Sequence, residues 1–192
     1  MADEKKVEEK LNAKTLKLKE FFKANKMEMF QDQNVNDEAQ TTIFRSRMQV
    51  KGQLLPFAIL LDRTVYTLIQ VQLAPAVATG DAFNKVAKFL NECNNRYRLF
   101  KFTISEVGDL LINATLTFPD DKFEPALLNA ILAEIVKFLD AEYAGTIVKS
   151  VIDVISDNGE AEIMLEARIV SSYTVMVSCL LPCLSCRSSC GR

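Results

Sequence analysis

Hydrophobic and polar residues alternate along consecutive segments between Gln40 and Leu73, which predicts antiparallel strands. In residues 40–50, one side of the predicted strand carries Thr42, Phe44, Ser46, Met48 and Val50, and the other carries Arg45, Arg47 and Gln49. Residues 54–61 are more continuously apolar, which is typical of a central strand covered on both faces. Residues 64–73 alternate again. We therefore predict three consecutive strands, preceded by a short strand within residues 27–33.

Amphipathic patterns predict three helices around these strands. Residues 7–26 carry apolar side chains at the three-to-four spacing of a first helix. A second helix follows Gly80, with Asp81 as its N-cap and a buried stripe formed by Phe83, Val86, Ala87, Phe89 and Leu90. The third begins with a capping box of Asp121 and Glu124, with Pro125 in its first turn. Its buried stripe comprises Leu127, Leu128, Ile131, Leu132, Ile135, Phe138 and Leu139.

A second pair of strands lies between the second and third helices. Residues 97–104 and 110–118 alternate on either side of a turn at residues 106–109, which predicts a β-hairpin. Beyond Gly145, residues 147–155 resume a helix-like spacing up to a stop at residues 157–159. Their many β-branched side chains leave a strand as the alternative.

The element order is therefore α-β-β-β(-β)-α-β-β-α, which defines an α+β fold with an antiparallel sheet covered by helices. We expect residues 1–159 to form one domain. Residues 160–192 differ in character and are predicted to be a cysteine-rich C-terminal extension, either a strand or disordered.

Composition narrows the classes of function. The 192 residues contain no histidine, which removes the commonest general base and every Ser–His or Cys–His nucleophile pair. We expect no enzyme activity, no catalytic residue and no cofactor. The net charge of -2, with acids and bases mixed along the chain, argues against nucleic acid as a partner.

The N-terminus and the cysteines point to a reducing compartment. Residues 1–6 are charged and lead into more charge, without the apolar core of a secretory signal. Cys93 has no disulfide partner within the body of the chain. We expect a cytoplasmic protein.

Four cysteines crowd the C-terminus, namely Cys179, Cys183, Cys186 and Cys190. Thiolates at this spacing can hold an iron–sulfur cluster or a soft metal ion. Nothing follows them in the sequence to enclose such a site, so we predict no metal and keep metal binding as an alternative.

The same region raises membrane attachment as a second alternative. Residues 169–186 carry no charge and reach the ~17–25 residues of a spanning helix, but they include several serines, a threonine and a proline. A buried strand at residues 168–177 explains the pattern equally well. Anchoring through the tail, or acylation of its cysteines, is therefore not our preferred interpretation.

Candidate partner-binding residues lie on the second strand and the first helix. Arg45 and Arg47 share a strand face with Gln49, and this face is suited to an acidic partner segment, with an ordinary solvated face as the alternative. Phe21 and Phe22 are included as partner-binding candidates on the first helix, with a core position as the alternative.

The element order, together with the Leu54-Pro56-Phe57 strand, the strand from Arg96-Tyr97 to Phe102, Gly108-Asp109 and the helix after Asp121-Lys122-Phe123, resembles the YbjN family and the wider type III secretion chaperone-like fold. The resemblance spans roughly residues 10–157 and leaves the cysteine tail unmatched. It implies a small cytoplasmic bacterial protein, often dimeric, that acts as a sensory-transduction regulator or a chaperone-like binder of other proteins. It implies no catalytic residues.

These observations converge on a non-enzymatic protein-binding module, chaperone-like or regulatory. We expect a protein partner and a homodimer. The alternatives are a membrane-attached regulator and a metal-binding protein, both using the cysteine tail.

Overall fold

The helices and strands follow the predicted order. The computed structural model of the chain describes residues 11–142, 147 and 149–156. Its elements are α1 (Ala13–Ala24), β1 (Gln31–Asn34), β2 (Thr42–Val50), β3 (Gln53–Leu61), β4 (Tyr66–Ala74), α2 (Ala82–Arg96), β5 (Lys101–Ile104), β6 (Leu110–Thr117), a 3-10 turn (Asp120–Lys122), α3 (Pro125–Glu142) and α4 (Lys149–Ser156).

All six strands belong to one antiparallel sheet with the order β1-β2-β3-β4-β6-β5. The consecutive pairing of β2, β3 and β4 is confirmed, and so is the β5–β6 hairpin. The hairpin extends the same sheet because β6 pairs with β4, from Tyr66 opposite Thr117 to Ala74 opposite Leu110. This insertion places β5 at one edge and β1 at the other. The α+β class is confirmed.

One face of the sheet forms the core. Its buried side chains are Phe44, Met48, Val50, Leu55, Phe57, Ile59, Leu61, Ile69, Val71, Leu73, Leu110, Ile112 and Ala114. The helices supply the opposing layer, with Leu18 and Phe22 from α1 and Leu128, Ile135 and Leu139 from α3. Because strand side chains alternate between faces, burial of every second residue fixes the register of the whole sheet.

Two aromatic groups hold the layers together. Phe22 of α1 stacks on Phe30 with ring centroids 4.0 Å apart and meets Phe44 of β2 edge-on at 5.6 Å. At the other end of the sheet, Phe138 of α3 lies 4.9 Å from Tyr97 and 4.8 Å from Phe100. Such pairs contribute about 0.5–1.5 kcal/mol each beyond their buried area.

The N-terminus of α1 is fixed by Asn12. Its Oδ1 accepts a hydrogen bond from Thr15 N at 2.8 Å, while its Nδ2 donates to Gln40 O at 2.8 Å. The side chain therefore caps the helix and ties it to the segment that leads into β2. The predicted beginning of this helix, residues 7–10, lies outside the described residues.

Two predicted helix starts differ from the structure. Asp81 precedes α2 as predicted, but its side chain makes no capping hydrogen bond. The capping box of Asp121 and Glu124 is wrong, because a 3-10 turn occupies Asp120–Lys122 and α3 begins only at Pro125. The carbonyl of Glu124 accepts hydrogen bonds from Leu127 N and Leu128 N instead.

Burial corrects two predicted side-chain positions and the predicted cover of one strand. Phe83 is 46% exposed and Leu127 is 44% exposed, because each lies on the outward side of its helix. The prediction that β3 is covered on both faces is also wrong, since Leu54 is 53% exposed and Pro56 and Ala58 are only half-buried. The described helices pack on the other face of the sheet.

The last described element is a helix, α4, so the strand alternative for this segment is not supported. The interruption predicted at Gly145 falls outside the described residues. So do the extension at 160–192 and its candidate metal ligands Cys179, Cys183, Cys186 and Cys190. Cys93 is buried, and desolvation raises the pKa of its thiol, which makes it a poor nucleophile.

The turn between β5 and β6 depends on Gly108. Its φ is +87°, and a Cβ there would stand 2.6 Å from Thr79 Cγ2 and 2.9 Å from Ala78 O. The carbonyl of Gly108 accepts a hydrogen bond from Ala78 N at 3.0 Å. Glycine is therefore required both by the conformation and by the close approach of the loop that follows β4.

We predict that Gly108→Ala lowers the free energy of unfolding by about 2–4 kcal/mol, which combines positive-φ strain with overpacking. Gly52→Ala is the matched control, because Gly52 has φ +81° but no atom within 4 Å of an added Cβ. We expect the control to cost only ~1–2 kcal/mol. Urea unfolding measures both variants. Equal losses would show that Ala78 O and Thr79 Cγ2 do not crowd the added Cβ.

Lys14 of α1 is fully buried, and its ammonium group donates hydrogen bonds at 2.7 Å to Thr64 O and at 2.7 Å to Tyr66 O. Desolvation lowers the pKa of Lys14 below its usual 10.5, and the nearby charges of Asp62 and Asp120 oppose this shift only in part. The unfolded chain therefore binds this proton more tightly than the folded chain.

We predict that the free energy of unfolding gains a positive slope with pH between the lowered pKa of Lys14 and its usual 10.5. Lys14→Met should remove this contribution, whereas Lys23→Met, at an exposed position of the same helix, should keep it. Urea unfolding at a series of alkaline pH values measures the difference between the two variants. Parallel pH profiles for wild type and Lys14→Met would contradict the assignment.

Candidate functional site

The face of the sheet away from the helices is here called the open face. Its positions are Ile43, Arg45, Arg47 and Gln49 on β2, Leu54, Pro56, Ala58 and Leu60 on β3, Leu68, Gln70 and Gln72 on β4, and Leu111, Asn113 and Thr115 on β6. Apolar and polar residues are mixed on it. No helix in the described part of the chain covers this face, so its apolar side chains remain half-buried or exposed.

A groove crosses the open face where β3 and β4 separate. The pairing of β3 with β4 ends at Phe57 opposite Val71, although β3 continues back to Gln53. A register shift between Gln72 and Ala74 interrupts the regular pairing of β4 with β6 at the same level. The resulting groove has a volume of about 780 Å³.

Proline is normally excluded from central strands because it lacks the N–H that pairs with a neighbour. Pro56 pairs with Arg47 on β2 but lies beyond the end of the β3–β4 pairing. The end of the β3–β4 pairing therefore accommodates Pro56, whose side chain is half-buried. Leu54, Pro56, Ala58 and Leu111 form the apolar part of the groove lining.

Polar side chains on the open face bond to one another. Gln70 Nε2 donates to Asn113 Oδ1 at 3.0 Å, and Asn113 Nδ2 donates to Thr103 Oγ1 at 2.7 Å. This chain links β4, β6 and β5. Because these amides satisfy each other, a partner need not supply their hydrogen bonds and can bury the neighbouring apolar groups.

Arginines line the β2 side of the groove. Arg45 and Arg47 are both exposed, and Arg45 Nη1 donates to Gln33 Oε1 of β1 at 2.7 Å. None of the open-face positions on β2, β3, β4 and β6 named above carries a carboxylate. The groove therefore presents an apolar floor beside positive charge, which favours an acidic and apolar segment.

Asp109 fixes the opposite end of the groove. Its Oδ1 accepts a hydrogen bond from Ala76 N at 2.8 Å, and its Oδ2 accepts one from Gln72 Nε2 at 2.8 Å. Ala76 has φ +48°, which is unfavourable for a residue with a side chain, so the first bond holds a strained loop in place. Both carboxylate oxygens are thus occupied by structural bonds.

A second hollow continues from this end. It has a volume of about 630 Å³ and shares Ser105 and Val107 with the groove. Val107 is 67% exposed, and Phe83 at the beginning of α2 also lines the hollow. The two depressions meet at the β5–β6 turn, and the lining of the second hollow also includes the carboxylate of Glu106.

The structure separates the predicted partner-binding residues. Arg45 and Arg47 lie on the open face beside the groove. Phe22 is 7% exposed and belongs to the core, because its ring packs between Phe30 and Phe44, so we withdraw it. Phe21 is only partly buried against the same core, and it stays a predicted partner-binding residue.

Sequence reasoning missed the apolar part of the site. The signal is the continuous apolar run of residues 54–61, which also predicts burial on both faces. A strand with one covered face and one binding face produces the same pattern.

Within residues 11–142, 147 and 149–156, cysteine and acidic side chains do not gather into a group of three or more suited to a metal ion. Among the helices of these residues, none has both the length and the apolar composition of a membrane span.

Comparison with known proteins identifies a distant structural likeness only. No protein-family model and no curated protein matches the chain. The chain is similar to one chain in the crystal structure of the ExsC–ExsE complex, with 17% sequence identity and a TM-score of 0.36. The aligned region covers 57% of this chain and 80% of that chain. A likeness this distant assigns no function.

We predict that Asp109→Ala lowers the free energy of unfolding by about 2–3 kcal/mol, because it leaves Ala76 N and Gln72 Nε2 without their charged acceptor. Asp121→Ala, at an exposed position near α3, is the control and should change stability by no more than ~0.5 kcal/mol. Thermal and urea unfolding test both variants. A loss for Asp109→Ala as small as that of the control would show that the carboxylate does not hold the loop.

Proposed function

We propose that the protein is a non-enzymatic protein-binding module, chaperone-like or regulatory, and that the groove on the open face holds a segment of its partner. The observation that carries the proposal is the uncovered apolar strip of Leu54, Pro56 and Ala58 on a sheet whose other face is fully packed. Exposed apolar surface bordered by polar residues is typical of protein-interaction sites.

The form of the groove favours a polypeptide over a small molecule. It is an open depression that continues over the β5–β6 turn into the second hollow. Small-molecule sites are enclosed and contain a few convergent polar groups. Here the amides of Gln70 and Asn113 and the carboxylate of Asp109 are engaged with protein groups.

The chemistry of the partner segment follows from the lining. Apolar side chains would bury against Leu54, Pro56 and Leu111, and acidic side chains would face Arg45 and Arg47. Exposed charge pairs of this kind contribute mainly to association rate and specificity, whereas the buried apolar contacts supply most of the affinity.

We further propose that the protein is of YbjN type, which the element order and the residues quoted for the resemblance support. The same resemblance supports the proposal of a bacterial, cytoplasmic, homodimeric protein with a regulatory role.

Site-specific photo-crosslinking tests the proposal. A photoreactive amino acid replaces Ala58 in the groove or, as a control, Ala130 on the outward side of α3, in the full chain within lysate of its source cells. We expect a discrete adduct with another protein from position 58 and none from position 130. Mass spectrometry of the adduct identifies the partner segment, which should contain acidic and apolar residues.

Charge reversal sharpens this test. Arg45→Glu combined with Arg47→Glu should reduce the adduct at least ~10-fold, because like charges would face the acidic partner. Lys88→Glu combined with Lys137→Glu, on exposed positions of α2 and α3, provides the matched change in net charge and should leave the adduct unchanged. Equal adducts from positions 58 and 130, or equal effects of the two reversals, would contradict the proposal.

A further inference from the structure

The two edges of the sheet differ in how their backbone groups are occupied. At β5, Asn94 of α2 accepts a hydrogen bond from Phe102 N at 2.7 Å through Oδ1 and donates one to Phe102 O at 3.0 Å through Nδ2. A side-chain amide therefore occupies the groups that an added strand would need there. At β1, no strand in the described part of the chain pairs with the outer edge. A further strand can pair at this edge.

The pairing of β1 with β2 shows which backbone groups the free edge presents. Val35 N donates a hydrogen bond to Thr41 O at 2.9 Å, so the backbone groups of Val35 point toward β2. These directions alternate along an antiparallel strand, so the N–H and C=O groups of Asp32 and Asn34 point away from β2. Asp32 and Asn34 thus offer donors and acceptors to a neighbouring strand.

Residues 29–35, here called the edge segment, are nearly symmetric about Asp32. They read Met-Phe-Gln-Asp-Gln-Asn-Val, with a glutamine next to Asp32 and an apolar residue three positions away on each side. Both apolar residues are exposed, Met29 by 60% and Val35 by 45%. When two copies pair antiparallel about Asp32, each Met29 lies opposite the partner's Val35. The edge segment is therefore complementary to itself.

We propose that the protein forms a homodimer in which the edge segments of two copies pair antiparallel, with Asp32 at the two-fold axis. This inference rests on the homodimer of the proposed function and adds the interface. Pairing at the edge joins the two sheets into one layer, with both open faces on the same side. Met29 and Gln31 belong to the groove lining, so the grooves of the two protomers approach each other at this interface.

The contacts on the open-face side of the interface are apolar and uncharged. Pairing of Met29 with the partner's Val35 removes apolar surface from water at both ends of the interface, which contributes ~25 cal/mol per Å². Between these ends, each Gln31 lies opposite the partner's Gln33, and side-chain amides both donate and accept hydrogen bonds. Gln33 Oε1 accepts a hydrogen bond from Arg45 Nη1 at 2.7 Å, which leaves Gln33 Nε2 to donate across the interface.

The charges on the helix side of the interface cancel. Phe30 stacks on Phe22 of α1, so the alternating positions Phe30 and Asp32 face the helices. Two Asp32 carboxylates opposite each other would be unfavourable as unpaired charges. However, Lys19 Nζ lies 2.7 Å from Asp32 Oδ2 in each protomer. Two acids and two bases therefore meet at the axis with no net charge.

A dimer through the open face has no such compensation. The same patch of each copy would meet at a two-fold axis, so Arg45 and Arg47 of one protomer would approach those of its partner. Like charges across an interface are unfavourable. The edge segment is therefore the better surface for a second copy.

Paired cysteines test the register. Met29→Cys and Val35→Cys are made in separate full-length chains in which serine replaces Cys179, Cys183, Cys186 and Cys190. Oxidation of an equal mixture should link position 29 to position 35 between protomers, because facing residues of this kind have Cα atoms about 4.5 Å apart. Each chain alone should form at least ~10-fold less link, since like positions lie about 20 Å apart. Peptide mapping by mass spectrometry identifies the link.

Charges at the two ends of the edge segment provide matched variants. Met29→Lys with Val35→Lys places like charges opposite each other at both ends, whereas Met29→Lys with Val35→Glu places opposite charges there. The first variant should have a dimer dissociation constant about 10-fold higher than the second. Positions 29 and 35 lie about 20 Å apart within one protomer, so these charges meet only between copies. Sedimentation equilibrium measures both variants and the wild type.

Three results would overturn the inference. They are a monomeric wild type, a dimer of equal stability in the two charge variants, and disulfides that form as readily between like positions as between positions 29 and 35.

The photo-crosslinking experiment separates this inference from the rest of the proposed function. An adduct of position 58 with another protein, without a link between positions 29 and 35, would retain the partner-binding groove and reject the inference. The link between positions 29 and 35 without such an adduct would retain the inference and reject the partner-binding groove.

Discussion

The structure depends on the burial of one face of a six-stranded sheet beneath its helices. Once every second residue of β2, β3, β4 and β6 is committed to this layer, the pleat directs the remaining residues to the opposite face. Phe22, Phe30 and Phe44 lock α1 to one end of the sheet, while Tyr97, Phe100 and Phe138 lock α3 to the other. The open face stays uncovered because the described helices pack on the other face of the sheet.

The groove arises from the way the sheet accommodates its own irregularities. β3 and β4 stop pairing beyond Phe57, where Pro56 could not donate a hydrogen bond, and the pairing of β4 with β6 has a register shift between Gln72 and Ala74. Asp109 then holds the loop after β4 with two hydrogen bonds, and Gly108 allows that loop to approach. These contacts fix the end of the groove at the β5–β6 turn beside its apolar lining.

Most of the elements were predictable because their signals are local. Alternation in residues 40–50 identified β2 and its two sides, and the Gly108 turn identified the β5–β6 hairpin. The start of α3 was misplaced because Asp121 and Glu124 satisfy the capping-box spacing, yet the chain closes a 3-10 turn at Asp120–Lys122 before Pro125 begins the helix. Local capping patterns compete with such turns, and sequence spacing does not decide between them.

The sequence by itself determined the α+β class, the order of the elements, and the position of Arg45 and Arg47 on the polar side of β2, because side-chain periodicity follows from backbone geometry. Only the tertiary structure decided that β6 inserts beside β4, that Phe22 is core, and that the apolar run of β3 has one uncovered side. Each of these depends on which layer packs against which face. That choice is made by contacts between residues distant in the chain, and a continuous apolar run is compatible with either one covered face or two.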